Sequence, residues 1–121
     1  MTSYLYIALT ILFTVYGQIV IKWQVSMAGA LPVTTGEKIS FLMGLLLNPW
    51  IVSGFLAAFL ASLSWMAAMT KFHLSHAYPF MGLAFVLVLF GSSIFFGETV
   101  TPLKVAGTAL IVLGIIVASQ G

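Results

Sequence analysis

Polar side chains recur every four residues along the first apolar segment of the chain. They are Thr10, Thr14, Gln18 and Lys22, and residues at this spacing lie on one side of an α-helix. In hydrocarbon an ionisable side chain costs about 3 kcal/mol on insertion scales, so Lys22 needs a polar partner or a route to water. One interpretation is a groove in which Gln18 and Thr14 offer hydrogen bonds and the Lys22 ammonium attracts a phosphate or carboxylate. The alternative is that Lys22 extends to the membrane surface and Gln18 joins two helices.

Three further side chains are candidates for contact with a ligand. Glu98 follows the third apolar segment, where its carboxylate could bind a cation, accept a proton, pair with Lys104 or cap the next helix. Trp65 and Tyr78 could line a cavity or fill the core between helices. The candidate substrate-binding residues are therefore Lys22, Gln18, Thr14, Tyr78, Trp65 and Glu98.

The remaining reactive residue types give no catalytic or metal site. His73 and His76 are three residues apart, but the sequence has no cysteine and places no carboxylate near them. It contains no nucleophile beside a base, no H-E-x-x-H pattern and no phosphate-binding glycine loop. Four lysines without an arginine form no basic cluster for nucleic acid. We therefore expect a protein that is not an enzyme and that uses no metal ion, cofactor or nucleic acid.

Composition places these residues in a membrane protein. Apolar residues make up 62% of the 121 residues and charged residues 5%, against about a quarter in soluble domains. A bilayer core about 30 Å thick takes roughly 20 apolar residues per helix, so four crossings use nearly the whole chain. The first segment lacks the basic start and the cleavage site of a signal peptide, and we expect it to be retained. The predicted fold is an all-α integral membrane protein, a bundle of four transmembrane helices in one domain, 1–121.

Turn and cap signals set the predicted helix bounds. Asn48 followed by Pro49 marks a helix start, with Asn as the N-cap and Pro at the first helical position, and Pro102 opens the last helix. Residues 41–47 are apolar but too few to span a bilayer. Residues 37–47 are therefore predicted to form a short interfacial or re-entrant helix between helices 1 and 2. The four spanning helices are predicted at about 4–23, 49–71, 77–96 and 102–119.

Small residues repeat at helical spacing in the second and fourth predicted helices. Lipid provides no hydrophobic drive between helices, so small residues that let two backbones approach indicate a contact face. In the second helix they are Gly54, Ala57, Ala58, Ala61 and Ser62, and in the fourth helix they are Gly107, Gly114 and Ala118. We expect the first set to contact a neighbouring helix and the second set to contact another subunit.

The first-helix segment resembles the small multidrug resistance transporters, four-helix members of the drug/metabolite transporter superfamily (EamA-like). It reads Y-L-Y-I-A-L-T-I-L-F-T-V-Y-G-Q-I-V-I-K, in which Gly17 and Lys22 match the family pattern. Two later segments resemble the superfamily more broadly, and they read L-S-H-A-Y-P-F-M-G-L-A-F-V-L-V and F-F-G-E-T-V-T-P-L-K-V-A-G-T-A-L-I-V-L-G-I-I. One departure matters: the essential membrane glutamate of those exporters falls at Thr14, which cannot titrate. Their exchange of protons for cations therefore does not carry over.

A second departure is the segment 37–48, which those exporters lack. It is similar to a segment in the subunits that flip undecaprenyl-phosphate aminoarabinose across the bacterial inner membrane, as are G-Q-x-x-x-K (Gly17, Gln18, Lys22) and A-Y-P (77–79). The resemblance implies a multi-pass inner-membrane flippase for a lipid-linked anionic substrate such as a polyprenyl-phosphate sugar. It also implies a homo- or heterodimer, because four helices are half of the superfamily's usual body. Lys22, with Gln18 and Thr14, would then receive the phosphate.

Two other functions stay open at this point. One is an exporter of cationic compounds, in which Tyr16, Trp65 and Tyr78 offer cation–π contacts and Glu98 supplies the carboxylate. The other is an accessory subunit that does not transport and instead stabilises a larger membrane partner through its small-residue faces.

Overall fold

The fold is entirely helical in residues 2–121, the part of the chain that the computed structural model describes. Within that range lie α1 (Thr2–Ala28), α2 (Thr35–Leu46), α3 (Pro49–Met69), α4 (Leu74–Ala77), a 3-10 helix (Tyr78–Gly82), α5 (Leu83–Phe96) and α6 (Pro102–Ser119). Four stretches are long and apolar enough to cross a membrane: Ser3–Ala28, Pro49–Met69, Leu74–Phe96 and Pro102–Ser119. The predicted all-α class, with four spanning helices and a short additional helix, is confirmed.

The most extensive helix contact in the described residues joins α1 to α3. A Cβ atom built on Gly17 of α1 would stand 3.0 Å from the carbonyl oxygen of Gly54 in α3, so the two backbones touch directly at this point. Gly54, Ala57 and Ala61 are all buried in α3. Small residues thus allow the close approach that their spacing predicted. Ala58 and Ser62 of the same pattern remain exposed.

The pair α1 and α3 runs antiparallel, and side-chain contacts define its two ends. At one end, called the Lys22 end, the rings of Trp23 and Trp50 meet with centroids 5.2 Å apart. At the other, called the Tyr4 end, Tyr4 packs against Phe72, with ring centroids 4.8 Å apart. The rise of an α-helix puts Tyr4 and Trp23 about 28 Å apart along α1, close to the thickness of a hydrocarbon core.

The third span is a composite of α4, the 3-10 helix and α5. The sequence predicted a helix from residue 77, but the span begins at Leu74 and tightens over Tyr78–Gly82. Pro79 has no N–H to donate to the preceding turn and its ring crowds the carbonyl four residues back, which disfavours a regular α-helix there. Gly82 lies at a close contact, because a Cβ atom on it would stand 3.0 Å from Ile111 of α6.

Other helix ends differ modestly from the prediction. The first helix runs to Ala28 instead of residue 23, because no helix breaker precedes Gly29, which has φ 95°. The short helix begins at Thr35 and not at 37, since the Thr34 hydroxyl accepts from the Glu37 N–H and caps it. The helix that starts at Pro49 ends at Met69, two residues before the predicted end. The bounds of α6 match those predicted.

Much apolar surface faces outward, most of all on the last two spans. In the most apolar window of α1 and of α3, 28% of residues are buried, but in the third and fourth spans only 6% are. Ile94, for example, is 76% exposed. A soluble monomer rarely exposes apolar surface on this scale. These faces suit contact with lipid acyl chains or with another protein in the membrane, and the chain is a multi-pass membrane protein.

The contact between Gly17 and Gly54 yields a stability prediction. Gly17→Ala is expected to lower the free energy of unfolding by about 1–3 kcal/mol, because the new methyl group meets backbone that cannot rotate away. The measurement is loss of the helical circular-dichroism signal in detergent as temperature or SDS rises. Gly44→Ala in α2 is the control, since a Cβ atom there meets nothing within 4 Å. Equal stability of both variants would contradict the packing.

Asn48 yields a second prediction because its side chain performs two tasks. Its Oδ1 accepts from the Trp50 N–H at 2.8 Å, and its Nδ2 donates to Oε1 of Gln24 at 2.9 Å. Gln24 is only 7% exposed, so loss of this partner leaves a buried amide unsatisfied. We expect Asn48→Ala to cost about 2 kcal/mol and Asn48→Ser about 1 kcal/mol, because serine keeps the cap but cannot reach Gln24. The same denaturation assay separates the two values.

Candidate functional site

The main candidate cavity has a volume of about 490 Å³ and is open to its surroundings. It lies between α1, α3 and the 3-10 helix, beside the contact of Gly17 with Gly54. Its size falls in the range of small-molecule sites. The lining residues are Thr10, Thr14, Gly17, Gln18, Ile21, Gly54, Ala58, Ala61, Ser62, Trp65, Met66, Tyr78 and Met81.

Two aromatic rings form one wall of this main cavity. Trp65 and Tyr78 pack edge to face, with ring centroids 6.0 Å apart and planes at 81°. Trp65 is half-buried, whereas Tyr78 is 64% exposed. Both residues therefore lie at the cavity rather than deep between helices. Their contact with a substrate stays a prediction.

Gln18 lines the main cavity and also two smaller ones. With Thr14 it lines a cavity of about 380 Å³ whose other walls are Met81, Ala84, Phe85 and Val88. It also lines a cavity of about 230 Å³ nearer the Lys22 end. The Gln18 side chain is exposed and therefore accessible from these spaces. A continuous polar edge of α1 thus runs past all three cavities.

The smallest of the three holds the two charged candidates. Lys22 and Glu98 line it together with Gln18, Ser92 and Phe96, and with Ile19 and Val88 at its apolar side. Lys22 and Glu98 are both exposed. Within residues 2–121 the two groups form no salt bridge at the 4.0 Å limit. A positive and a negative group thus face one small space without neutralising each other by direct contact.

Glu98 has none of the structural roles that the sequence left open for it. The N-cap of α6 is Thr101, whose hydroxyl accepts from the Lys104 N–H at 3.2 Å, so capping by Glu98 is wrong. The Lys104 ammonium donates to the Thr99 carbonyl at 3.4 Å. Glu98 itself follows Gly97, which ends α5 in the left-handed region with φ 65°. Its carboxylate is thus available to a ligand.

Helix-to-helix hydrogen bonds come from residues other than Gln18. Gln24 makes the bond to Asn48 described above, and the Tyr16 hydroxyl lies 2.9 Å from the Ser53 Oγ. Tyr16 lines none of the three cavities, so it does not join Trp65 and Tyr78 as the exporter hypothesis assumed. Thr10 lines the main cavity, but its hydroxyl already donates to the Tyr6 carbonyl at 2.8 Å.

The histidine region lies at the far end of the bundle. Nε2 of His76 and the Tyr4 hydroxyl are 3.2 Å apart, and His76 stacks on Phe72. No group of three or more possible metal-ligating side chains occurs in the described range 2–121. His73 and His76 therefore take no part in the cavities that hold the six candidates.

The six candidates thus divide between two cavities that share Gln18 as a lining residue. Thr14, Trp65 and Tyr78 line the main cavity, Lys22 and Glu98 line the smallest one, and Gln18 lines both. Sequence reasoning missed Ser92 and Met81. Ser92 interrupts an apolar span, and its hydroxyl donates to the Val88 carbonyl. A polar residue within an apolar span was the sequence signal that could have identified Ser92. The sequence offers no such signal for Met81.

Comparison with known proteins gives a consistent set of relatives. The chain is 32% identical over 113 residues to the probable 4-amino-4-deoxy-L-arabinose-phosphoundecaprenol flippase subunit ArnE of Pectobacterium atrosepticum, covering 93% of this chain and 94% of the relative. It is 30% identical to the protein of the same name from Aeromonas salmonicida, covering 91% and 90%. A third such subunit, from Yersinia pseudotuberculosis, is 29% identical with 98% and 97% covered.

Two other comparisons add nothing to this assignment. No protein-family model matches the chain. No solved structure matches it either. The relatives nevertheless align over almost the whole length of both chains, at an identity that establishes common descent, and they confirm the resemblance seen in the motifs. This protein therefore belongs to the ArnE family of probable 4-amino-4-deoxy-L-arabinose-phosphoundecaprenol flippase subunits.

Proposed function

We propose that this chain is one subunit of a translocator that moves a polyprenyl-phosphate-linked sugar, of the 4-amino-4-deoxy-L-arabinose-phosphoundecaprenol type, between the leaflets of a bacterial inner membrane. The observation that carries this proposal is the position of Lys22. It lines a cavity together with Gln18, and Gln18 also lines the two larger cavities along α1. The family relationship supports the substrate class.

The phosphate of such a lipid lies between a polar head and an apolar tail, as Lys22 lies between water and the apolar span. A lysine ammonium is a compact donor that attracts phosphate without demanding a planar geometry. Gln18, one helical turn deeper, offers a neutral donor at the next step, followed by the Thr14 hydroxyl. Because Gln18 and Thr14 are uncharged, they would not bind the charged head group so tightly that it could not move on.

The apolar tail needs no enclosed site in this mechanism. The third and fourth spans expose much apolar surface, and the main cavity is open to its surroundings. A polyprenyl chain could therefore remain in the lipid while only the sugar phosphate enters the cavities. Translocation breaks no covalent bond, and the function accordingly requires no catalytic residue.

A second subunit completes the proposed translocator, either another copy of this chain or a related one. The relatives are themselves named as subunits. Gly107 and Gly114 of α6 have nothing within 4 Å of a built Cβ atom, so both positions leave room for a partner helix. Close approach of such a helix would cover both positions.

The aromatic pair at the main cavity favours a second candidate, export of cationic compounds. Trp65 and Tyr78 could bind a cation by cation–π contact. The carboxylate that such an exporter needs is absent from the main cavity, because Glu98 lines the smaller one. Thr14 cannot replace it as a titrating group. The positions of Lys22 and Glu98 therefore agree better with a lipid-linked anionic substrate than with a cationic compound.

Lys22→Ala tests the proposal directly. It is expected to reduce transport of the lipid-linked sugar in proteoliposomes at least about tenfold, because a charge-assisted hydrogen bond to phosphate contributes about 1.5–3 kcal/mol. Lys22→Arg should retain part of the activity. The matched control is Lys38→Ala in α2, which removes the same charge away from the cavities. Unchanged transport by Lys22→Ala, or transport of a quaternary-ammonium dye alone, would contradict the proposal.

The α6 face yields a separate prediction about assembly. Gly114→Leu is expected to weaken subunit association, because a leucine side chain keeps the partner backbone at a distance. Native mass spectrometry in detergent measures the ratio of monomer to dimer. Gly44→Leu is the control, with a glycine that is equally uncrowded but lies in the short helix α2. An unchanged dimer in Gly114→Leu would place the interface elsewhere and would also weaken the accessory-subunit alternative.

A further inference from the structure

The smallest cavity combines two charges that the bundle brings together from distant parts of the chain. Lys22 comes from α1, and Glu98 comes from the segment after α5. Both line the same space of about 230 Å³, and both are exposed to it without a direct salt bridge in the described residues. A cavity between two separated opposite charges has room for a ligand that carries the complementary charges.

Local backbone geometry fixes Glu98 at this cavity. Gly97 adopts φ 65°, which glycine tolerates without the cost that a Cβ atom brings, and both the Gly97 and the Glu98 N–H groups donate to the Ser92 carbonyl. Ser92 and Phe96 line the same cavity. The backbone of Glu98 is therefore bonded to the end of α5, and its side chain lines the cavity from there.

The rest of the chain makes no other use of this carboxylate. Thr101 caps α6, and Lys104 bonds to the Thr99 carbonyl, so both nearby structural tasks are already filled. The sequence contains only one other carboxylate side chain, Glu37, which lies in the first turn of α2. Glu98 is thus the one acidic side chain that lines any of these three cavities.

The proposed substrate class carries the matching pair of charges. An amino sugar linked through phosphate to a lipid has an anionic phosphodiester and an amine, and aliphatic amines are largely protonated at neutral pH. Lys22 can pair with the phosphate, which leaves a cation at the far side of the head group. A carboxylate across the cavity forms a charge-assisted hydrogen bond with such an ammonium.

We infer that Glu98 is the specificity-determining residue of this site, which selects a zwitterionic head group by pairing with the sugar ammonium while Lys22 holds the phosphate. This inference rests on the proposed function and adds the part of the substrate that is recognised. It assigns different tasks to the two charged side chains. Lys22 binds the phosphate of every phosphate lipid, whereas Glu98 binds only lipids whose head group carries an amine.

The experiment compares two lipids that differ only at the amine. They are 4-amino-4-deoxy-L-arabinose-phosphoundecaprenol and its N-acetylated form, which keeps the phosphate and tail but has no positive charge. Native mass spectrometry measures the binding of both to the protein purified in detergent with any subunit that accompanies it. The variants are Glu98→Gln, Glu98→Asp, Lys22→Ala and the matched control Glu37→Gln, which removes the chain's other carboxylate.

Wild type and Glu37→Gln are expected to bind the free-amine lipid about tenfold more tightly than the acetylated one. Glu98→Gln should lose this preference but retain the affinity for the acetylated lipid. Glu98→Asp should keep most of the preference, and Lys22→Ala should lose affinity for both lipids. Retained affinity for the acetylated lipid also shows that Glu98→Gln is folded.

Three results would overturn the inference, and they are distinguishable. Equal binding of both lipids by wild type removes the recognition of the amine but leaves the proposed function intact. A preference that survives in Glu98→Gln assigns amine recognition to another residue. Failure of wild type to bind either lipid removes the proposed function itself and this inference with it.

Discussion

Backbone contact between α1 and α3 is the constraint on which the rest of the structure depends. Gly17 meets Gly54 without intervening side chains, and this contact fixes the rotation of α1 about its own axis. Thr14 and Gln18, which flank Gly17 in the sequence, are thereby turned toward the cavities instead of toward lipid. A polar edge in hydrocarbon is unfavourable unless it faces such a space. Packing and function are therefore coupled at one glycine pair.

Local signals predicted two helix starts correctly. Asn48 with Pro49 combines a capping side chain with a ring that is already set for the first turn, and Pro102 supplies such a ring for α6. The end of α1 lies beyond the predicted residue 23, and this continuation gives Gln24 a buried partner in Asn48. The 3-10 helix has a sequence cause in Pro79, but its length is also set by packing of Gly82 on α6.

The candidate site also contains residues that the sequence could group together and one, Glu98, that it could not. Spacing alone places Thr14, Gln18 and Lys22 along one edge of α1, so no knowledge of the bundle was needed to group them. The approach of Glu98 to Lys22 depends on how the C-terminal end of α5 packs on α1, and residues so far apart in sequence carry no sign of that. Tyr16 shows the converse error: its aromatic ring suggested a ligand contact, but its hydroxyl is next to Ser53 on α3.

The uneven burial of the four spans is consistent with a site that works on a lipid. A closed pocket would have to enclose the apolar tail as well as the polar head. Enclosing the tail would provide no hydrophobic gain to offset the desolvation of the head, because the tail already lies in hydrocarbon. Here α1 and α3 bury small residues against each other, whereas the third and fourth spans leave more of their apolar surface open. In the proposed mechanism the polar cavities need only to replace water around the head group. Lys22 and Glu98 would do so with separated charges, so the cost of moving that head group would fall on two side chains that line one cavity.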